Sequence, residues 1–595
     1  MRFHVRWILL LVASLALSAT PPNAVTAATV ANPICTNNTA LYNPDSGQDI
    51  VVPSGYQVSV FAKDLNFPTA VAFRGNSRSF EVFVLESGHG LPSQCNDEES
   101  SVVGGVSSRT NPFTPDILVF DQNGNLIRGP LAKPSSGTDS LQPHGPAIGL
   151  AFEKGLQGGR LFATDSNQAI RAVGAQNNSS RIVTVDPTSG KVTPFITGLP
   201  TGDHPAEQIT FKGEWIYWSQ GSTTNSGVVG NDNGGGANQQ DIPCQDIVLS
   251  DNVFFSSPTV ATSGYSPHSV RRPGAHTPAF DSATGAGICD GAILRARLDA
   301  RNSKATIEPF SWGYRNPFGI RFAPDDHPLK GGLLVTENGE DERGARPTNN
   351  APDRLQLAQQ NPDGSPDYHG WPDHFGFLES TQAVFNPIGG PGDDLCNPLT
   401  PGNLAFPACI PRVTAQNPPG AVPVKPVLAF PPQPVTAPLA LEPADVAAVG
   451  LDFVPNSFVT GPVRRGAALI GREGDFGFSA ANGQPEAGHD VELVNFGGGN
   501  GEPLQIQQTR FAYNKTFEQA FVSGLRGINR PVDLKFGPDS CAYLVDYGAV
   551  RDFGRSDPDA KFVGDGNGPL VQIPRTGTIW KICKIGGGNR GDTDD

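Results

Sequence analysis

The stretch Phe310–Gly339, FSWGYRNPFGIRFAPDDHPLKGGLLVTENG, carries a pattern that the rest of the chain repeats. Trp312-Gly313-Tyr314-Arg315-Asn316-Pro317 reads as a polar turn presenting an arginine and an asparagine. Phe318–Ala323 alternates large apolar with other residues, the period of a half-buried strand. Leu333–Glu337 is a short apolar run closed by Asn338-Gly339, a turn signal. The same unit of turn, strand, loop and strand starts again at Pro68, Pro146, Pro205, Asp445 and Pro531, which makes six copies. A third alternating strand follows each: Asp116–Asp121, Arg181–Asp186, Ala292–Leu298, Arg354–Leu357, Asp490–Val494 and Thr578–Ile582. Small antiparallel sheets repeated along a chain are the signature of a propeller. Radial stacking buries both faces of each sheet and leaves only short edges. The expected fold is all-β, a six-bladed β-propeller with long loop insertions on one face. An irregular sandwich assembly is the competing arrangement, and six matching units disfavour it.

The rest of the chain frames this ring. Arg2 and Arg6 precede the apolar run Trp7–Leu17, and Val25-Thr26-Ala27 offers a cleavage site, so residues 1–27 read as a secretory signal peptide. No later stretch is long and apolar enough to span a bilayer, and the polar tail excludes a GPI signal. The expected product is secreted, with an extended arm at 28–55, the propeller at 56–583 and a flexible tail at 584–595. Six blades need far less chain than this, so insertions are expected at 222–287, rich in Gly, Ser and Asn, and at 377–443, rich in Pro. Of the eight cysteines, Cys244 lies in the first insertion with Cys289 just beyond it, and Cys396 and Cys409 lie in the second. An even count in a secreted chain points to disulfides, whose pairing is open among 105 connectivities; Cys396 with Cys409 would close a short loop. Asn37, Asn177, Asn178 and Asn514 stand in glycosylation sequons and are therefore expected on the surface. A net charge of -15 argues against a nucleic-acid partner.

Loops at one end of a propeller converge on its axis, so polar residues flanking the inner strands gather there. Those residues are His144, Asp203-His204, Arg315-Asn316, Asn338-Gly339-Glu340-Asp341, Arg472-Glu473 and Asn529-Arg530. Arginine forks bind carboxylates bidentately, which suits an anionic ligand. A neutral histidine there has the chemistry of a general base, with Asp203 available to orient it. A hard cation can sit on turn carbonyls and ligand oxygens. Blander roles compete: His204 as a solvated turn residue, and Arg315-Asn316 as partners of backbone carbonyls. His369 and His374 are too loosely spaced for a metal site, and Gly230–Asp241 lacks the terminal glutamate of a calcium loop.

Taken in order, Asp203-His204, Trp312-Gly313-Tyr314-Arg315-Asn316-Pro317, Glu337-Asn338-Gly339, Pro352-Asp353-Arg354-Leu355 and Tyr368-His369-Gly370-Trp371-Pro372 resemble the soluble PQQ-dependent glucose/sorbosone dehydrogenases. The series is also similar to the fungal PQQ-dependent pyranose dehydrogenases. The resemblance implies a quinoprotein that oxidises a sugar hydroxyl using pyrroloquinoline quinone (PQQ) and Ca2+. It makes His204 the base, Arg315 the group that polarises the quinone, and Asn316 a further PQQ contact. Arg530 falls where the family places an arginine on a PQQ carboxylate, and Arg472 is a looser match to another basic position. The backbone carbonyls of Gly339 and Glu340 correspond to calcium ligands. Without a CxxCH haem motif, electrons are expected to leave to an external acceptor such as a cytochrome. Three positions depart from the pattern: Phe318 replaces a glutamine, Glu340 a proline, and Arg354 an acidic residue. A propeller can keep its scaffold and lose its chemistry. A cofactor-free propeller that binds a glycan or a protein is therefore the alternative, and a metal-dependent lactonase a weaker one.

Overall fold

In a computed structural model the chain forms a closed ring of six blades. The described residues are 28–586, apart from 45–46, 89–93, 97–110, 135–138, 168–177, 231–238, 258–259, 275, 278–286, 342–344, 347, 349–350, 380–384, 387–421, 475–487, 500–501, 517–525 and 552–569. The expected signal peptide, Asn177 and the Cys396–Cys409 pair lie outside them.

The six inner strands are Pro68–Asn76, Ala147–Phe152, Ala206–Lys212, Asn316–Phe322, Ala448–Phe453 and Pro531–Phe536, numbered here as blades I to VI. Each pairs antiparallel with the second strand of its blade, which pairs with a third and that with a fourth, and blades III and V carry a short fifth strand beyond. The outer strands, such as Leu126–Leu131, Val192–Leu199 and Ala440–Ala444, have no counterpart in the sequence reading. Leu126–Leu131 is exposed or half-buried along its whole length, so it carries no alternating apolar signal. The ring is closed by Tyr56–Leu65, which supplies the outer strand of blade VI by pairing with Gly577–Lys584. Ile50–Val51, within the expected arm, extends blade V.

Alternation explains the packing. In blade I, Val82 and Val84 face blade VI, where they meet Tyr543 and Val545. Phe83 and Leu85 face blade II, where they meet Leu150 and Leu161. Every blade interface has such a cluster, so second strands like Leu161–Asp165 and Ala542–Asp546 are buried throughout. Full burial of one such side chain contributes roughly 1.5–3 kcal/mol. Each inner strand also ends near a phenylalanine: Phe73, Phe152, Phe211, Phe322, Phe453 and Phe536.

All six inner strands shift register near their N-terminal ends. In three blades a hydroxyl on the second strand stitches this bulge to the next blade. Thr164, Ser219 and Thr336 accept from the backbone N–H of Gly149, Gln208 and Gly319. They then donate to the carbonyls of Glu207, Phe318 and Val449 in the following inner strand. A Cβ on Gly149 or Gly319 would strike those carbonyls, so the inner strands can approach this closely only with glycine there.

The loops between second and third strands all lie at the end where the inner strands begin. They are long in every blade, whereas loops at the opposite end are as short as residues 77–78 and 213–214. Three disulfides lie among the described residues: Cys35–Cys95, Cys244–Cys289 and Cys541–Cys583. One surface expectation is corrected. Asn514 is buried, with its amide donating to the Ile528 carbonyl at 2.7 Å and accepting from the Ile528 N–H at 2.8 Å. Asn37 and Asn178 are exposed.

Candidate functional site

The two resemblance motifs form one packed unit on blades III and IV. Trp312, the last residue of the blade III outer strand, pairs in parallel register with Tyr368. The His369 N–H donates to the Trp312 carbonyl, and the Trp371 N–H to the Gly313 carbonyl. The Tyr314 ring stacks on His369 at 4.6 Å. His369 is buried between Gln356 and Asp367 at 3.0 Å each, a packing role. With the turn so fixed, Arg315 projects from the start of the blade IV inner strand.

His204 and Arg315 open at the same end of the ring and are two hydrogen bonds apart. The Ser222 carbonyl accepts from the His204 N–H at 3.1 Å, and the Ser222 N–H donates to the Arg315 carbonyl at 2.8 Å. A Cβ on Gly221 would collide with the His204 Cβ, so glycine there lets the histidine sit against the strand end. Beneath them a buried clamp holds the turn. Asp290 accepts from the Thr223 N–H and hydroxyl and from the Ile242 N–H, and Asp241 accepts from the Thr224 N–H and hydroxyl. The Cys244–Cys289 disulfide ties the chain segments that carry these aspartates. Burial pushes Asp241 up to about 6, with Asp203 adding to the rise, and pushes Asp290 well above the carboxylate range, with Asp241 adding to the rise. Asp203 is 3.8 Å from His204 Nε2, beyond a hydrogen bond for that pair.

Arg315 is almost wholly buried. Its Nε donates to Asn225 at 3.0 Å and one Nη to Asp341 at 2.6 Å. Asn225 closes the ring by bonding both the N–H and the carbonyl of Asp341. The second terminal amino group of Arg315 has no protein partner among the described residues. The Asn316 amide lies between the Glu207 carboxylate, at 2.8 and 2.9 Å, and the Asn338 amide, at 2.9 Å. Burial pushes Glu207 well above the usual carboxylate range; Arg315 pulls it down and Glu473 pushes it up. Glu473 is itself raised to about 7 by burial, against the pull of Arg530. Across the axial end two carboxyl groups, Glu207 and Glu473, therefore lie between two arginines, Arg315 and Arg530. Arg530 donates to the Gly474 carbonyl at 3.1 Å. Nearby, His489 Nδ1–H donates to the Asn529 carbonyl, and burial drops its pKa to about 3, with Arg530 adding to the fall.

Arg472 stands apart from this group. Its guanidinium makes a two-pronged contact with Asp490, at 2.7 and 2.8 Å, and also bonds Glu442 and Glu492. Phe318 joins Ile148 and Val449 in an apolar plug across the axis, which forms the floor beneath the polar residues. At the Gly339–Glu340 turn, the Gly339 N–H donates to Asp353 at 2.6 Å. The Glu340 carboxylate turns away to Arg354 at 2.8 Å, and the same guanidinium bonds Glu337 at 2.9 Å, all fully buried. The acidic side chain of the turn is thus committed to an ion pair. Among the described residues no three His, Cys, Asp or Glu side chains converge as a metal site.

The sequence reading passed over Asn225, Glu207, Asp241 and Asp290. Three of these, Asn225, Asp241 and Asp290, belong to or border the 222–287 insertion, which has no repeat to align. Glu207 carried a signal. Counting back four from each inner-strand phenylalanine gives Thr69, Ile148, Glu207, Phe318, Val449 and Val532, a column with one acid.

No family model matches the chain, and no curated protein matches it. Among solved structures, the holo form of the pyranose dehydrogenase PQQ domain from Coprinopsis cinerea is similar at 15% identity and a TM-score of 0.45, over 91% of this chain and 97% of that one. A Trichoderma reesei carbohydrate-active enzyme of family AA12 is similar at 15% identity and a TM-score of 0.46, over 92% and 98%. The Malassezia sympodialis allergen Mala s 1 is similar at 11% identity and a TM-score of 0.33, over 92% and 99%.

Proposed function

We propose that the chain is a secreted sugar oxidoreductase that uses PQQ with Ca2+ and passes electrons to an external acceptor. The observation that carries this reading is the link through Ser222, which holds one imidazole and one buried guanidinium at the same axial end. The residues present fit an anionic, planar cofactor. Arg315 has an uncommitted amino group toward it, Arg530 adds a second cation, and Ile148, Phe318 and Val449 make an apolar floor. The Gly339 and Glu340 carbonyls would supply two of the six to eight oxygens that calcium takes, leaving the rest to cofactor and water. When bound, the quinone supplies a two-electron acceptor for the hydride.

The protein's own part is proton transfer and placement. His204 takes the hydroxyl proton of the sugar, and the clamp of Asp241 and Asp290 fixes the turn that presents it. Asn225 and Asp341 aim Arg315, and Asn316 is held by Glu207 and Asn338. Arg472 serves as a strut that ties blade V to Glu442 on the blade IV outer strand, rather than as a cofactor contact.

The test adds PQQ and calcium to the purified protein and follows quinone absorbance and dye reduction with a panel of aldoses. His204→Ala should lower turnover by roughly 10²–10⁴-fold, the scale of general-base catalysis, with PQQ binding retained. Arg315→Ala should weaken binding and turnover together. Unchanged turnover in His204→Ala refutes the base assignment. A second reading, a cofactor-free glycan-binding face, is favoured by the two carboxyl groups that lie between the axial arginines and offer hydrogen bonds to hydroxyls. Sugar binding without any PQQ uptake would select it.

A further inference from the structure

The opposite end of the ring holds a separate cavity of about 300 Å³. It opens to solvent past Gly155 and the exposed Leu156. The plug of Ile148, Phe318 and Val449 lies between it and the His204 end. Each inner strand contributes to its wall the residue just before the terminal phenylalanine. Around the axis these are Ala72, Ala151 and Thr210 from blades I to III, then Arg321, Asp452 and Lys535 from blades IV to VI. One half of the mouth is therefore built of small side chains, and the space lies over them. The other half is charged.

The charged half is internally balanced. Arg321 Nε is 3.0 Å from Asp452, whose other oxygen accepts from the Phe536 N–H at 3.0 Å. Lys535 Nζ is 3.1 Å from Asp533 and donates across the axis to the Leu150 carbonyl at 3.2 Å. Two cations thus meet two carboxylates. Donor capacity remains: the terminal nitrogens of Arg321 and the Thr210 hydroxyl have no hydrogen-bond partner among the described residues. A wall that is half apolar, net neutral and still able to donate and accept hydrogen bonds suits a solute with the same character. An ion would unbalance the paired charges and lose its hydration without a counter-charge. The volume stands at the lower bound of ligand clefts, which limits the guest to one small molecule.

We propose that this cavity is a second binding site, for a small uncharged hydroxyl-rich molecule of the polyol or monosaccharide class. Its hydroxyls meet Arg321, Asp452 and Thr210, and its carbon face lies over Ala72 and Ala151. It is independent of the reaction at the other end.

Saturation-transfer NMR on the whole protein tests this with xylitol and glycerol as uncharged probes, and acetate and methylammonium as charged ones. The expected result is transfer to the uncharged probes, at least tenfold weaker in Ala151→Leu, which fills the space. Thr210→Val, which removes the hydroxyl at nearly constant volume, should also weaken it, and His204→Ala should leave it unchanged. Circular dichroism melts establish that each variant is folded; if Ala151→Leu is not, Thr210→Val alone decides. Absence of transfer to the polyols, equal transfer in the folded wall variants, or stronger transfer to acetate or methylammonium would overturn the proposal.

Discussion

Replacing Arg354 with methionine removes the cation between Glu337 and Glu340 at nearly constant volume. The three side chains are fully buried, with contacts of 2.9 and 2.8 Å. Glu337 would keep the Gln356 amide and the Arg315 N–H. Glu340 would keep no side-chain partner, because among the described residues its carboxylate bonds only Arg354. Breaking a buried pair in this way costs about 3–5 kcal/mol, mostly as the penalty of the abandoned charge. Burial already raises Glu340 above its ordinary pKa while Arg354 pulls it down. Without Arg354 the group rises further and escapes part of the penalty by taking a proton. A carboxyl raised in the folded state loses stability as pH climbs through its folded pKa. The gap between variant and wild type should therefore be small near pH 5 and widen toward pH 8. Denaturant midpoints at the two pH values measure this. Adding Glu340→Gln to Arg354→Met should restore more than half of the loss at pH 8. A single variant within about 0.5 kcal/mol of wild type at pH 8, or a double variant no better than the single, would refute the reasoning.

Asp241 and Asp290 are both raised, chiefly by burial, so the clamp beneath His204 is most stable protonated. Thermal midpoints should fall as pH rises from about 4 through about 6, and Asp241→Asn should flatten that slope; an unchanged slope counts against the clamp. Gly221→Ala should displace His204 and cost roughly 1–3 kcal/mol, as overpacking does, so activity and melting point should drop together. Glycopeptide mass spectrometry of material from a glycosylating host should find Asn514 bare, because a glycan would displace both Ile528 bonds. A sugar on Asn514 of the folded protein contradicts its placement.

Inner and second strands were legible because the ring imposes the same burial on each of them. Val82 to Leu85 must face two blades at once, and that demand writes apolar residues at every position. Outer strands face solvent on one side, so Leu126–Leu131 reads like a loop. The closing strand was hidden for another reason. Tyr56–Leu65 alternates as any strand does, but its partner is about 520 residues away, and pairing at that distance leaves no local mark. Positions at the candidate site divide along the same line. Arg315, Asn316 and Arg530 could be found because they sit at a fixed offset from a repeated strand. Asn225 and Asp290 sit in an insertion, where nothing repeats.

The departures at Glu340 and Arg354 show what position-by-position reading misses. Set against the resembled pattern, each alone reads as a mismatch: an acid at a proline position, and a base at an acidic one. In the structure they are one unit, since the Arg354 guanidinium lies against the Glu340 carboxylate and against Glu337. A turn held by a buried ion pair keeps its conformation only while both partners remain. The carbonyls of Gly339 and Glu340 therefore depend on a side-chain pair rather than on a ring. Arg315 takes its own backbone support from Glu337, so it is tied to the same pair. Loss of Arg354 should then disturb the presentation of Arg315 as well as stability, a coupling that proline at position 340 would not create.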